Sequence, residues 1–331
     1  VSDEIPKMRI VVGDRNLLPH RDLFESLLPP EAEVRWHERF DEAAIIDDLP
    51  AADVYVGGKF TAAMASAADR LQLVHVAGAG TDKVAFASLD PRTKVANTFH
   101  HADSIAEYVL STAIMMRRGF LTQDRALRHG VWASSVYDDS LPQPLSMSAA
   151  HIGFVGFGHI GSKSWNLLRT LGCTGSAVTG RGTVDAAAAG LSWAGDSDDL
   201  SRLMTESDVV VLSAPLTGHT RGMIGPAELA ALGPDGVLIN VGRGPLVQQQ
   251  ALYDALSHNH IRAAAIDVWY AYPDPDGRGN PADLPFADLP NLLMTPHSSG
   301  VTQDTFVGRV RDIADNIRRL ERGQTLARTV R

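Results

Sequence analysis

The sequence predicts an α/β protein made of two doubly wound parallel sheets. Short apolar runs alternate with helix-like stretches along the chain, the pattern of a parallel sheet covered by helices. With 331 residues, the chain exceeds what one hydrophobic core usually supports. The alternation also restarts. One series occupies roughly the first hundred residues, and a second begins at His151 after a polar, irregular stretch.

In the first series, runs 8–12, 53–57, 73–77 and 94–97 read as strands, with helical character at 20–28 and 61–68. Residues 102–118 carry apolar side chains at helical spacing without proline or glycine, which predicts a helix capped by Asp103 or Ser104. The stretch 134–148 contains Pro142 and Pro144 and reads as a loop or arm. The second series has strands at 151–155, 176–179, 208–213, 237–241, 263–268 and 292–295. Its helices start near Ile160, Pro226 and Val247, and Pro226 suits a first helical turn because its missing N–H is not needed there. A final helix spans 302–322. The second series looks complete, whereas the first needs that last helix to finish its core.

Composition excludes several classes. Hydrophobic residues make up 44% and charged residues 21%, ordinary for a globular protein. No apolar run reaches the roughly 18 residues of a membrane span. The opening VSDEIPKMRI lacks the basic-then-apolar pattern of a secretory signal, so the expected location is the cytoplasm. A single cysteine, Cys173, excludes an internal disulfide and a cysteine-based zinc site. A formal net charge of −9 argues against nucleic acid or an anionic membrane as partner. The C-terminal basic cluster of Arg309, Arg311, Arg318, Arg319 and Arg322 is interleaved with Asp312, Asp315 and Glu321 and reads as a solvated helix face. His100 with His101, and His258 with His260, lack a partner acid or cysteine at ligand spacing, so no metal is expected.

The clearest motif is Gly156-Phe157-Gly158-His159-Ile160-Gly161, directly after the strand HIGFV. In such a GxGxxG turn the first glycine permits the tight bend and the second lets a pyrophosphate approach the backbone. The third allows close helix–strand packing, while the helix N-terminus offers free N–H groups to the phosphate. An NAD site usually ends its second strand with Asp or Glu on the ribose 2′-hydroxyl. Here no acid occurs between Gly161 and Asp185, and the strand end reads Thr179-Gly180-Arg181. A guanidinium can pair with a 2′-phosphate and a threonine hydroxyl can donate to it, so NADP is favoured, with NAD possible.

Several further segments fall into one ordered pattern: Val76-Ala77-Gly78-Ala79-Gly80-Thr81-Asp82, Ser104-Ile105-Ala106-Glu107, Ser213-Ala214-Pro215-Leu216-Thr217, Asn240-Val241-Gly242-Arg243-Gly244, Asp267-Val268-Trp269 and Thr295-Pro296-His297. The set, from about residue 70 to 305, resembles the D-isomer-specific 2-hydroxyacid dehydrogenases; Thr179-Gly180-Arg181 is most similar to the glyoxylate and hydroxypyruvate reductase branch. The resemblance implies two Rossmann-like domains. A flavodoxin-like, discontinuous substrate domain would take residues 1–100 plus 299–331, and the dinucleotide-binding domain 101–298. It also implies a homodimer joined through the nucleotide domain, to which the arm 134–148 could contribute.

Hydride transfer to a 2-oxo acid requires the carboxylate held, the carbonyl polarised and a proton delivered to the nascent alkoxide. Arg243 suits polarisation because it cannot lose its charge, and His297 suits proton donation because imidazole titrates near neutrality. The turn around Ala79 and Gly80 can offer backbone N–H groups to a carboxylate. The resemblance assigns these same roles. It also places Ser104, Ser213, Ala214, Pro215, Val241 and Gly242 along the cofactor, and Asp267 near the nicotinamide. His101, near the expected hinge, is a candidate substrate contact, and Trp269 reads as core.

One departure stands out. The family's DV(F/W) segment runs on to a glutamate before proline that pairs with the catalytic histidine; here Tyr272 precedes Pro273. A phenol can hold the ring but gives imidazolium less electrostatic support. Formate dehydrogenases also lack this glutamate, but carry glutamine there, and their substrate asparagine aligns with His101, which argues against formate oxidation. Phosphite oxidation on the same scaffold is another alternative. So is a non-catalytic nucleotide sensor, although retention of both Arg243 and His297 argues against lost catalysis.

Overall fold

The computed structural model describes residues 7–274 and 276–330. The chain divides into two compact units, Val1–His101 with Val301–Arg331, and Ala102–Gly300.

In the first unit β1 (Arg9–Val12), α1 (Arg21–Leu27), β2 (Glu33–Trp36), α2 (Glu42–Asp48), β3 (Val54–Val56), α3 (Ala62–Ser66), β4 (Leu73–His75) and β5 (Lys94–Ala96) follow in order. All strands are parallel, in the order β2-β1-β3-β4-β5, which is the flavodoxin-like arrangement. Alternation along the strands separates two cores. Ile10, Val12, Val54 and Val56 face one way with Phe24, while Val11, Tyr55 and Val74 face the other with Ile45, Leu49 and Met64. The first face is closed by the last helix of the chain, α11 (Gln303–Glu321). Its Phe306, Val310, Ile313, Ala314 and Ile317 recur at helical spacing and bury against that face. Thr302 accepts from the Thr305 amide and caps the helix start.

His75, in β4, is fully buried. Its Nε2 accepts from the Asn316 amide at 3.0 Å, and its Nδ1 lies 3.2 Å from the Val76 carbonyl, so the neutral ring donates from Nδ1. Asn316 also bonds both backbone groups of Ala327, tying strand, helix and C-terminal tail together. Burial pushes the His75 pKa down to about 4.

The second unit runs α4 (Ala102–Arg118), α5 (Phe120–Arg128), β6 (His151–Val155), α6 (His159–Leu168), β7 (Thr174–Val178), α7 (Ala186–Ala189), β8 (Trp193–Gly195), α8 (Leu200–Glu206), β9 (Val209–Leu212), α9 (Pro226–Leu232), β10 (Val237–Asn240), α10 (Gln249–Ser257), β11 (Ala263–Ile266) and β12 (Leu292–Met294). Its seven parallel strands lie in the order β12-β11-β10-β9-β6-β7-β8. The winding direction switches between β6 and β9, the place where a doubly wound sheet opens a crevice at its carboxyl edge.

Several local expectations are corrected. Ala102 already opens α4, so Asp103 and Ser104 lie inside its first turn, and Asp103 pairs instead with Lys163 at 2.7 Å. The edge strands β2 and β8 carry no apolar run, because an edge strand is not buried on both faces. Helix α5 has no fully buried residue, and Leu121 packs only half-buried against the core, so its apolar side is slight. In the C-terminal cluster Arg318 and Arg319 do pair with Asp315. Arg309 departs from the solvated face: its guanidinium lies 4.9 Å from the Phe306 ring, and desolvation holds its pKa below the usual arginine value. Residues 131–146 form no helix or strand and expose Val131, Trp132, Val136, Tyr137 and Leu145. Among the described residues, no helix is long and apolar enough to cross a membrane.

Candidate active site

Six turns of the second unit leave the carboxyl ends of β6, β7, β9, β10, β11 and β12, so the residues they carry share one edge of the sheet. At the switch point Gly156 has φ +91°, and a Cβ there would stand 2.7 Å from the Ala214 amide nitrogen. Only glycine fits both constraints. A Cβ on Gly161 would meet the Gly156 carbonyl oxygen at 2.6 Å, so α6 rests directly on the loop. Beside Gly158 there is open space within 4 Å, and no side chain caps the start of α6. The loop therefore presents uncapped N–H groups toward a gap, a cradle suited to a pyrophosphate. His159 and Ile160 form the first turn of that helix.

Across the switch point the Ser213 hydroxyl donates to the Gly156 carbonyl at 2.9 Å, so its hydrogen serves the loop. Ala214 is buried and Pro215 exposed. At the end of β7, Thr179 Oγ1 accepts the Gly182 amide at 3.1 Å, which leaves its hydroxyl hydrogen to donate elsewhere. Gly180 and Arg181 are exposed, and Arg181 makes no hydrogen bond or ion pair among the described residues.

Arg243 follows β10 in a turn knitted by Asn240. Asn240 accepts from the Gly242 amide and donates to the Arg243 carbonyl, each at 3.1 Å. The half-buried Arg243 side chain donates through Nη1 to the Gly242 carbonyl at 2.8 Å. Val241 is buried, and a Cβ on Gly242 would crowd the Ala214 carbonyl oxygen at 2.9 Å. The two turns thus pack backbone to backbone.

His297 follows β12. It is one of three non-glycine residues with positive φ among the described residues, at +56°. Such backbone costs about 1–3 kcal/mol and persists where neighbours enforce it, commonly at functional sites. Its Nδ1 lies 3.1 Å from the phenol oxygen of Tyr272, with ring centroids 5.6 Å apart. Both residues are exposed. Beneath them Asp267 is fully buried, and its carboxylate accepts from Thr295, Ser298 and Ser299. Trp269 is buried in the core of this unit.

Ala79, Gly80 and His101 belong to the first unit. The Ala79 carbonyl accepts from Asn97 Nδ2 at 2.9 Å, which steadies the turn after β4. Beside His101, His100 pairs through Nε2 with Asp312 at 2.9 Å, and Thr98 donates to the same carboxylate. Ser104 lies in the first turn of α4. Sequence reasoning overlooked Tyr108, Thr295, Ser298 and Ser299. Only Thr295, inside a singled-out motif, carried any signal. Among the described residues no group of three or more His, Cys, Asp or Glu could hold a metal ion.

A glycine cradle at a topological switch point, with an arginine turn and a histidine turn on the same sheet edge, defines a dinucleotide-binding α/β protein. Residues 110–299 match the model for the D-isomer specific 2-hydroxyacid dehydrogenase, NAD binding domain, and the chain belongs to that family. It is 30% identical over 253 residues to the glycerate dehydrogenase of Methylorubrum extorquens, covering 75% of each chain. It is 28% identical over 302 residues to the mitochondrial formate dehydrogenase of Solanum tuberosum, covering 89% of this chain and 74% of the relative. Among solved structures, an NADPH-dependent glyoxylate/hydroxypyruvate reductase from Sinorhizobium meliloti, in complex with NADP and malonate, aligns at TM-score 0.77 and 25% identity. That alignment covers 98% of this chain and 97% of the reductase.

Proposed function

We propose that this protein reduces a small 2-oxo acid to the D-2-hydroxy acid, or catalyses the reverse, with NADP(H). The observation that carries the reading is the His297–Tyr272 pair. Nδ1 faces the phenol, so Nε2 is the ring nitrogen that would serve the substrate oxygen, on the sheet edge that also bears Arg243. The loop Gly156–Gly161 would hold the pyrophosphate, because a gap beside Gly158 and an uncapped α6 suit it. Ser104, Ser213, Ala214, Pro215, Val241 and Gly242 would line the rest of the cofactor. Thr179, Gly180 and Arg181 would take the 2′-phosphate: a spare hydroxyl hydrogen and an unpaired guanidinium sit where a carboxylate would repel it.

When bound, the reduced nicotinamide supplies the hydride to C2. Arg243 stays charged and polarises the carbonyl, and protonated His297 gives its Nε2 proton to the oxygen that becomes the hydroxyl. Amides of Ala79 and Gly80 would hold the substrate carboxylate, with His101 as a further substrate contact. The reading includes a homodimer, for which the exposed Trp132, Tyr137 and Leu145 would supply apolar surface, and a cytoplasmic location.

The test is NADPH absorbance with glyoxylate, hydroxypyruvate and phenylpyruvate, followed by NAD+ or NADP+ with formate and phosphite. Turnover of at least one 2-oxo acid is expected, with NADPH preferred. Arg181→Ala should raise KM for NADPH at least about tenfold, the loss of one charge-assisted hydrogen bond, and leave KM for NADH nearly unchanged. Silence across the panel with tight cofactor binding would favour a nucleotide sensor.

A further inference from the structure

Arg309 is held in the first unit by packing, and its hydrogen-bonding capacity is left unused. It lies two turns into α11, on the face that Phe306 and Ile313 bury against the first sheet. Its guanidinium stands 4.9 Å from the centre of the Phe306 ring, and His20 stacks on the same ring at 6.0 Å. Its Nε is fully enclosed, yet donates to no acceptor among the described residues. A ring engages the face of a guanidinium, whereas the five N–H donors lie in its plane. Enclosing such a donor without an acceptor is costly, so the site is built for a partner that brings one.

Asp14 is the charge that bears on Arg309, but it does not supply that acceptor. The two form no ion pair, and Asp14 Oδ1 already accepts from the Asn16 amide and from Asn16 Nδ2, each at 3.0 Å. Asp14 thereby caps the short helical turn after β1. The same edge of the sheet carries the turn proposed to hold the substrate carboxylate. The Gly13 amide bonds the Val56 carbonyl and the Gly57 amide bonds the His75 carbonyl, so the segments leaving β1, β3 and β4 lie side by side. Asp14 follows β1 and Ala79 follows β4, two strands apart, an interval of about 10 Å. A five-carbon chain spans about 5 Å between its end carbons, and a hydrogen bond of about 3 Å at each end covers the rest.

We propose that Arg309 is a specificity-determining residue that binds a second carboxylate at the far end of the substrate, so that the preferred substrate is a 2-oxo dicarboxylic acid. The planar fork matches both oxygens of a carboxylate, and Phe306 supports it from one face. The inference rests on the reading of this protein as a 2-oxo acid reductase, with Ala79 and Gly80 holding the first carboxylate.

Calorimetry with 2-oxoglutarate and 2-oxopentanoate tests it, since the two share a chain length and differ by one carboxylate. Each is titrated into protein saturated with NADP+, with which neither acid can turn over. The parent should bind 2-oxoglutarate at least about tenfold more tightly, the worth of one charge-assisted pair. In Arg309→Met, whose flexible side chain still packs on Phe306, that preference should shrink to within about twofold. Arg309→Lys keeps the charge and loses the fork, so part of the preference should go. Equal binding of the two acids by the parent would overturn the proposal, as would a preference undiminished in the variants. If Arg309→Met does not fold, the parent and Arg309→Lys decide in the same way. NADPH oxidation with the same two acids is read separately. Absent turnover with the binding preference intact would sink the reductase reading and leave the anion site standing.

Discussion

A phenol and a carboxylate can both hold an imidazole at Nδ1, yet they act differently on its charge. A carboxylate at this distance favours imidazolium and raises its pKa, by 1 unit or more for a close pair; a neutral phenol does not. Tyr272 at 3.1 Å therefore leaves His297 easier to deprotonate than a glutamate would. The proposed reduction needs the protonated ring, so on that reading activity should fall as pH rises through the imidazole's titration. Tyr272→Glu should move this limb of the kcat/KM profile upward by about 1 pH unit or more. A superimposable pair of profiles would count against Tyr272 acting on His297. Arg243, His297 and Tyr272 could be picked out of the sequence because they sit in, or break, a recognisable order. Ser298 and Ser299 could not: two small polar residues after a histidine say nothing about a carboxylate thirty positions upstream.

At the scale of elements, what the sequence revealed follows burial. Central strands buried on both faces, such as β9 and β10, are continuous apolar runs and were legible almost to the residue. The edge strands β2 and β8 and the exposed helix α5 left no such trace. The seam between β4 and α11 adds a pH dependence. His75 is neutral there with its pKa lowered to about 4, while the unfolded chain binds a proton near 6.5. Stability from this group is full above pH 6.5 and lost as pH falls toward 4, on the order of 3 kcal/mol in total. Thermal melts from pH 7.5 to 4.5 should show a smaller decline in His75→Gln, which keeps an acceptor for Asn316, than in the parent. Parallel declines would mean that other groups set the acid sensitivity.

Two sheets of five and seven strands were foreseeable for the whole molecule because the apolar alternation starts twice. The pairing of the first series with the final helix was foreseeable only as a missing piece. The irregular segment 131–146 exposes Trp132 at 62%, Val136 at 77% and Tyr137 at 67%. If the proposed homodimer uses this aromatic and aliphatic surface, light scattering should give the mass of two chains for the parent. The double variant Trp132→Ser with Tyr137→Ser should dissociate at least about tenfold more readily, the loss of one or two anchor residues. A parent that is monomeric at micromolar concentration would rule the dimer out.

The closing of the first core by Phe306, Val310, Ile313 and Ile317 bears on how the chain is made. As it leaves the ribosome, the segment Ala102–Gly300 has all its strands in hand before Gln303 is synthesised. The strands of the first unit then have Leu17, Phe24 and Leu28 against this face but still lack the cover of α11. The strands of the first unit are thus made before those of the second, yet their core is completed after them, and until then part of their apolar face stays uncovered.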